Sequence, residues 1–287
     1  MPKLSIITIN LNNAKGLQKT IESVVNQTFK DLEYIVIDGG STDGSVEIIK
    51  KYADKINYWI SEPDTGIYNA MNKGIAVAKG EYCLFLNSGD WLYNDTIIES
   101  VAGHELFTDI VVGNVLSVNS NYQSHKIAPN SYNITAYKLF TSTLPHQASF
   151  IRKELFEKYG NYDENLKIVS DWKFCLETII IHNVTVKYID LIISFYDLNG
   201  ISNKMIEIEE TERTKVLHEL FPVKIIQDYE YFHKERLAFE LLKNDMEREN
   251  SIYGITKTIR SHLLSRKLQT GIFRIVKAYE RIAKKHG

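Results

Sequence analysis

Gly80-Glu81-Tyr82-Cys83-Leu84-Phe85-Leu86-Asn87-Ser88-Gly89-Asp90-Trp91 passes from an apolar run, Tyr82 to Leu86, straight into polar and small residues. A central strand whose carboxyl end opens on a ligand crevice has this pattern, since both its faces are covered while its tip meets solvent. Asp90 is the carboxylate at that tip.

Upstream the same grammar repeats. Leu4 to Ile9 is a β-branched apolar run ending on Asn10-Leu11-Asn12-Asn13, and Leu17 to Val25 has helical apolar spacing. Leu32 to Ile37 closes on Asp38-Gly39-Gly40-Ser41-Thr42-Asp43-Gly44-Ser45 before a helix marked by Val46, Ile49 and Ala53. Ile56 to Ile60 predicts a third strand, Ser61-Glu62-Pro63-Asp64-Thr65-Gly66 a loop, and Ile67 to Ala78 a helix that Gly80 stops. Strands alternating with helices imply an α/β fold on a Rossmann-like, mostly parallel central sheet with right-handed crossovers. The polar loops then gather on one edge.

Downstream, Asp109 to Val118 predicts one or two strands, and Asn119 to Asn133 is turn-rich. Ser149 to Arg152 predicts a short strand before a helix at Glu154 to Tyr159, and Lys187 to Tyr196 a last strand before Asp197-Leu198-Asn199-Gly200-Ile201-Ser202-Asn203. Beyond Ile206 charged helix formers predict helices over Glu207 to Leu220, Val223 to Arg248 and Ile255 to Lys285. The expected organisation is a catalytic domain over residues 1–205, with a donor half at 1–100 and an acceptor half at 101–205. A helical extension would follow over 206–287.

A chain of 287 residues, 44% hydrophobic, supports a sizeable core, and its net charge of −2 argues against a general nucleic-acid binder. Both cysteines, Cys83 and Cys175, sit where a small hydrophobe would serve. Met1-Pro2-Lys3-Leu4 shows no secretory leader, and no apolar stretch reaches the ~18 residues of a membrane span. The expected location is cytoplasmic.

Asn10, Asn12, Asp38, Ser41, Asp43, Asp64 and Asp90 all follow strand-like runs. Turn chemistry explains any one of them. It does not call for carboxylates after successive strands of one parallel sheet. Neither a Gly-x-x-x-x-Gly-Lys-Ser/Thr loop nor a Gly-x-Gly-x-x-Gly after the first strand is present. A crevice rich in Asp and short of Lys and Arg neutralises phosphate through a divalent cation, Mn²⁺ or Mg²⁺, held by one or two carboxylates.

Ser5-Ile6-Ile7-Thr8, Thr20-Ile21-Glu22-Ser23-Val24-Val25-Asn26-Gln27-Thr28, the Asp38 to Ser45 loop and Leu86-Asn87-Ser88-Gly89-Asp90 together resemble the family 2 glycosyltransferases, which use the GT-A fold. His146-Gln147, Ser170-Asp171-Trp172 and Gly200-Ile201-Ser202 extend the resemblance more thinly. It implies transfer of a sugar, with inversion, from a nucleoside diphosphate sugar, commonly UDP-linked, to a saccharide or lipid-linked acceptor. By position it places Thr8 and Asn10 beside the nucleotide, Asp38 on the base, and Asp64, Asn72, Asn87 and Ser88 around the donor. Asp90 falls at the metal and diphosphate, Asp171 at the general base. His146, Trp172, Gly200 and Ser202 are further site candidates, the last two in a loop that closes over the donor.

Those roles have their own physical logic. An anomeric centre losing diphosphate acquires oxocarbenium character and needs a base on the opposite face. Asp171 also suits a helix N-cap, and His146 an exposed loop. Two departures stand out. Asn87-Ser88-Gly89-Asp90 replaces the family's Asp-x-Asp, and Met71 stands in Ala70-Met71-Asn72-Lys73-Gly74 where relatives often carry Arg, leaving Lys73 as the nearest cation.

From Lys257 to Gly287 nine Lys or Arg face one acid, Glu280, a net +8, while the remaining residues carry −10. Ile272, Ile275, Val276, Tyr279, Ile282 and Ala283 share one helical face of this basic amphipathic stretch, which starts near residue 256. An anionic membrane surface, giving peripheral association, and a protein surface are its two candidate partners. Two rival functions remain: a nucleotidyltransferase, for which Leu11-Asn12-Asn13-Ala14-Lys15-Gly16 is a poor phosphate loop, and a non-catalytic nucleotide-sugar-binding subunit.

Overall fold

The structure, a computed structural model, describes residues 3–104, 108–119, 122–126, 134–198 and 205–248. Gly200, Ser202 and the basic stretch from about residue 256 lie outside the described residues. The chain divides into two compact units, residues 1–220 and 221–287.

In the first unit, strands β1 (Leu4–Asn10), β2 (Leu32–Asp38), β3 (Tyr58–Ser61) and β4 (Tyr82–Phe85) alternate with helices α1 (Ala14–Val25), α2 (Ser45–Lys51) and α3 (Ile67–Val77). The strands lie in the order β3-β2-β1-β4, all parallel. Ile6 and Ile7 point to opposite faces of β1 and both are fully buried, so helices cover the sheet on each side. On one face Leu17, Ile21 and Val24 of α1, spaced for one helical stripe, join Ile6, Val36 and Leu84 in the core. On the other, α3 approaches β1 closely because Gly74 has no side chain to meet Ile7.

The later strands are β5 (Trp91–Leu92), β6 (Ile110–Asn119), β7 (Tyr122–Lys126), β8 (Ser149–Arg152) and β9 (Val186–Asp197). They continue the sheet as β4-β8-β6-β9-β5, with β7 on β6. Here the expectation of a mostly parallel sheet gives way to a mixed one. β4–β8, β6–β8, β5–β9 and β6–β7 are antiparallel, while β6–β9 is parallel. Asn119 to Asn133, expected to be turns, contributes β7, and Ile97 to Ala102 forms a helix, α4, that the sequence pattern did not show. Register shifts between Val112 and Val115 against β9 curl the sheet.

Helices α5 (Ala136–Thr141), α6 (Glu154–Tyr159) and α7 (Ser170–Cys175) follow, α7 running into a π-helical turn over Leu176–Ile181. Helix α8 (Ile206–Leu220) was expected to open the C-terminal extension, but it belongs to the first unit. Val216 is fully buried, and Lys173 Nζ, itself buried, bonds Asp163 Oδ2 at 3.0 Å and Glu219 Oε1 at 2.8 Å. Glu212 accepts from the Lys167 and Ile168 amides at 2.7 and 2.9 Å. These contacts tie α8 into the first compact unit, which runs to residue 220. Helix α9 (Val223–Arg248) is the described part of the second unit. No helix among the described residues is long and apolar enough to cross a membrane. Cys83 and Cys175 are free and buried, and burial pushes the Cys83 thiol up to about 12.

Candidate active site

The carboxyl ends of β2, β1 and β4 lie side by side, and their loops are laced together. Ser41 is the first knot: its hydroxyl donates to Asp38 Oδ1 at 2.6 Å and accepts from Asn10 Nδ2 and the Asn12 amide. Asp43 accepts from the Ala14 amide, and Asn12 Oδ1 from the Thr42 amide. Asn13 caps α1 through Gly16 N and donates to the Ser88 carbonyl at 2.9 Å, which ties the β4 tip to the same lattice.

Asp38 lies at the carboxyl end of β2. It is fully buried, and its oxygens accept from Asn10 Nδ2, the Ser41 hydroxyl and amide, and the Ser61 hydroxyl. Burial opposes its charge, but these bonds outweigh burial and hold the carboxyl below its ordinary value. It organises the loop from inside. Thr8 is likewise buried, its hydroxyl accepting from Tyr34 at 3.0 Å. Asn10 Oδ1 is left buried without a partner.

Around the rim, Asp64 caps the turn at Gly66 N and packs against Gly39, where any Cβ would strike its Oδ2. Asn72 clamps Tyr162 through both backbone groups and reaches Glu164. Met71 is buried, while Lys73 pairs with Glu62 at 2.7 Å and so supplies no free cation.

At the β4 tip Gly89 adopts φ 106°, which strains any other residue, and Asp197 Oδ2 lies 3.7 Å from where a Cβ would stand. Asp90 is 5% exposed and its Oδ1 accepts from Asp197 N at 2.9 Å. Burial pushes this carboxyl up to about 7, against the pull of His146, the Asp197 amide and the Gln147 side chain; the Asp197 charge adds to the rise. Asp197 and Gln147 sit on β9 and on the 3₁₀ turn His146–Ala148, distant in sequence, and neither stood out as a metal-side residue.

The second carboxylate lies in the first turn of α7. Asp171 Oδ1 accepts from Trp172 N at 2.9 Å and lies 3.0 Å from the Tyr68 hydroxyl, whose one proton is shared with the Ile168 carbonyl at 2.6 Å, and Oδ2 faces His146 Nδ1 at 3.3 Å. Burial works against its ionisation, yet the hydrogen bond from His146, then those from Tyr68 and the Trp172 amide, hold it below the ordinary value. Asp171 is therefore not the N-cap; Val169 occupies that position. Tyr68, on α3, was not singled out from the sequence. Burial and the Asp171 charge push its hydroxyl well up, so it remains a donor.

Trp172 is a wall of this site. Its ring is 1% exposed, its Nε1 donates to the Leu139 carbonyl at 2.6 Å, and Arg213 from α8 stacks 4.4 Å from its centroid. A cavity of about 190 Å³ opens between Tyr68, Leu144, His146, Asp171, Trp172 and Arg213. It accommodates one ring-sized group, given that benzene enters an engineered cavity of about 150 Å³.

The sequence matches the family described as Glycosyl transferase family 2 over residues 5–160. It is 30% identical over 219 residues to a PGL/p-HBAD biosynthesis glycosyltransferase of Mycobacterium bovis, covering 74% of this chain and 84% of the relative. An uncharacterized glycosyltransferase of Mycobacterium tuberculosis is 33% identical over 215 residues, 70% of this chain and 78% of that one. Among solved structures, residues 1–349 of S. aureus TarS superpose with a TM-score of 0.57 at 23% identity, over 68% of this chain and 60% of that one. The mannosyltransferase PcManGT from Pyrobaculum calidifontis superposes with a TM-score of 0.57 at 15% identity, over 98% of this chain and 81% of that one. With the β-α alternation, the acidic strand tips and these relatives in agreement, the chain belongs to glycosyl transferase family 2 as an enzyme of the glycosyltransferase type with a GT-A-like fold.

Proposed function

We propose that the chain transfers a sugar, with inversion, from a nucleoside diphosphate sugar, taken as UDP-linked, to a hydroxyl of a saccharide or glycolipid acceptor. The observation that carries this reading is Asp171: a carboxylate held ionised, fixed by Tyr68 and His146, and opening on a ring-sized cavity. Such a group removes the acceptor proton as the hydroxyl attacks the anomeric carbon. Opposite, the donor sits on the loops of β1, β2 and β4, with Asn87, Ser88, Asn10 and Asp64 at its margin. Support for the donor class comes from TarS, whose structure was solved with UDP-GlcNAc.

For a divalent cation the protein offers Asp90 with Asp197 beside it; no group of three or more His, Cys, Asp or Glu is arranged around a metal among the described residues. One or two carboxylates completed by diphosphate oxygens fit Mg²⁺ or Mn²⁺, and PcManGT was solved with GDP-Man and Mn²⁺. When bound, the ion offsets charge on the departing diphosphate. Asp90 anchors that side, and Asp197 and Gln147 hold its carboxylate in place.

Polysaccharide or glycolipid assembly at a membrane face follows from the basic C-terminal stretch, which deletion after Ser251 and partition to anionic vesicles would test; unchanged partition refutes it. The central test incubates the protein with a panel of nucleotide sugars and Mn²⁺, and follows thermal stabilisation and nucleoside diphosphate release. Stabilisation without release, even with varied acceptors, would replace the transferase by a binding subunit.

A further inference from the structure

His146 stands between the two halves of the site. Its Nδ1 lies 3.3 Å from Asp171 Oδ2, on α7, and its Nε2 lies 3.2 Å from Asn87 Nδ2, at the tip of β4. Both the ring and the Asp171 carboxylate are under one-fifth exposed, and the ring starts the 3₁₀ turn behind Pro145, whose carbonyl accepts from the Ala148 amide and the Ser149 hydroxyl. The imidazole is thus gripped at both nitrogens and along its backbone.

We propose that His146 is a positioning residue for Asp171, and that Asn87 fixes it as the Nδ1–H tautomer. This rests on the reading of Asp171 as the base. An ionised carboxylate has only lone pairs to offer, so the ring nitrogen facing it carries the proton. An amide nitrogen has only hydrogens to offer, so Nε2 of a neutral ring accepts from Asn87. Turning the Asn87 amide over would present Oδ1 to Nε2 and require a proton on both ring nitrogens. In the orientation observed, Asn87 Oδ1 remains buried without a partner, and the amide nitrogen is kept for the ring.

The consequence is directional. Asp171 Oδ1 is held by the Trp172 amide and, through a proton shared with the Ile168 carbonyl, by Tyr68, and Oδ2 by His146. The Trp172 amide on Oδ1 and His146 on Oδ2 restrain the carboxylate from turning about its own bond, and Asp171 lines the cavity together with His146 and Tyr68. Asn87 belongs to the same strand tip as Asp90, so one side chain links the donor loop to the acceptor base. The family's Asp-x-Asp motif would place a carboxylate at residue 87 or close to it; the asparagine here presents an amide nitrogen to the ring instead.

Two measurements decide this. Long-range ¹H–¹⁵N spectra of the full chain labelled with ¹⁵N-histidine, with His146 assigned by its loss in His146→Asn, should show Nδ1 protonated and Nε2 bare at neutral pH. In Asn87→Asp the same ring should be doubly protonated. An Nε2–H ring in the wild type, or rapid exchange between tautomers, overturns the proposal. In the second, with a nucleotide sugar that supports turnover, His146→Leu should lower kcat about 10²-fold with donor KM unchanged, as for a displaced catalytic group. His146→Asn, whose amide nitrogen takes the place of Nδ1, should recover most of that loss. Equal losses in both variants, or a loss confined to donor KM, would also overturn it. A wild type that turns over no nucleotide sugar refutes the transferase reading instead, and the spectra then decide the role of the ring alone.

Discussion

Asp90 Oδ1 accepts a 2.9 Å hydrogen bond from the backbone amide of Asp197, so the tip of β4 and the end of β9, separated by 107 residues, meet at one buried carboxylate. Burial pushes this carboxyl up to about 7, even though the Asp197 amide pulls it down.

A carboxyl whose folded value exceeds its unfolded value near 3.8 stabilises the fold fully below that lower value, and the benefit is lost as pH rises through about 7. Asp90→Asn, which keeps the acceptor and removes the charge, should match the wild type near pH 4 and exceed it at pH 8 without divalent cation. The gap is on the order of 4 kcal/mol before structural relaxation. Urea melts at the two pH values measure it, and Mn²⁺ should narrow the gap by favouring the wild-type carboxylate.

Asp171→Asn removes the base and retains its shape. Transfer should fall by about 10²- to 10⁴-fold, the usual worth of general base catalysis, while the Kd for nucleoside diphosphate stays within about twofold. Loss of nucleotide binding in this variant would reassign Asp171 to the donor side.

Tyr68→Phe deletes one donor to Asp171 and leaves the ring packing. The Asp171 carboxyl, held below its ordinary value, should rise, and the acid limb of kcat/KM should move up by roughly half to one pH unit. For stability the sign is opposite to that of Asp90: the contribution of Asp171 is present above the ordinary carboxylate range and lost as pH falls through its lowered folded value.

Gly74→Ala should destabilise the protein although alanine is the better helix former by about 1 kcal/mol. A Cβ at residue 74 runs into Ile7 Cγ2 on β1, and overpacking of this kind costs about 1 to 3 kcal/mol. Calorimetry on the variant reads the balance; a raised Tm would mean that α3 moves off the sheet freely.

The strands β1, β2 and β4 were legible because each is an apolar run broken by turn residues, and β8 and α6 fell on their expected residues. β5 was not, since two residues make a strand only where β9 supplies the partner. Asp90, His146 and Asp171, singled out from the sequence as site candidates, lie at the tip of β4, on the 3₁₀ turn His146–Ala148 and in the first turn of α7. The sequence did not say which side chains turn inward: Thr8 is taken up by Tyr34, Asp38 by its own loop and Asn72 by Tyr162. A strand tip brings a residue to the crevice, but local hydrogen-bond partners decide whether its polar atoms remain available to a ligand.

By itself, the sequence determined the alternation of buried strands with amphipathic helices and the polar edge that ends them, because hydrophobic period and turn chemistry are local properties of the chain. Only the tertiary structure decided that β8, β6 and β9 complete a mixed sheet, that Asp197 comes to Asp90, and that His146 lies between Asn87 and Asp171. Those contacts join segments far apart in sequence, and their geometry is set by strand pairing and packing across the whole first unit rather than by the residues on either side of them.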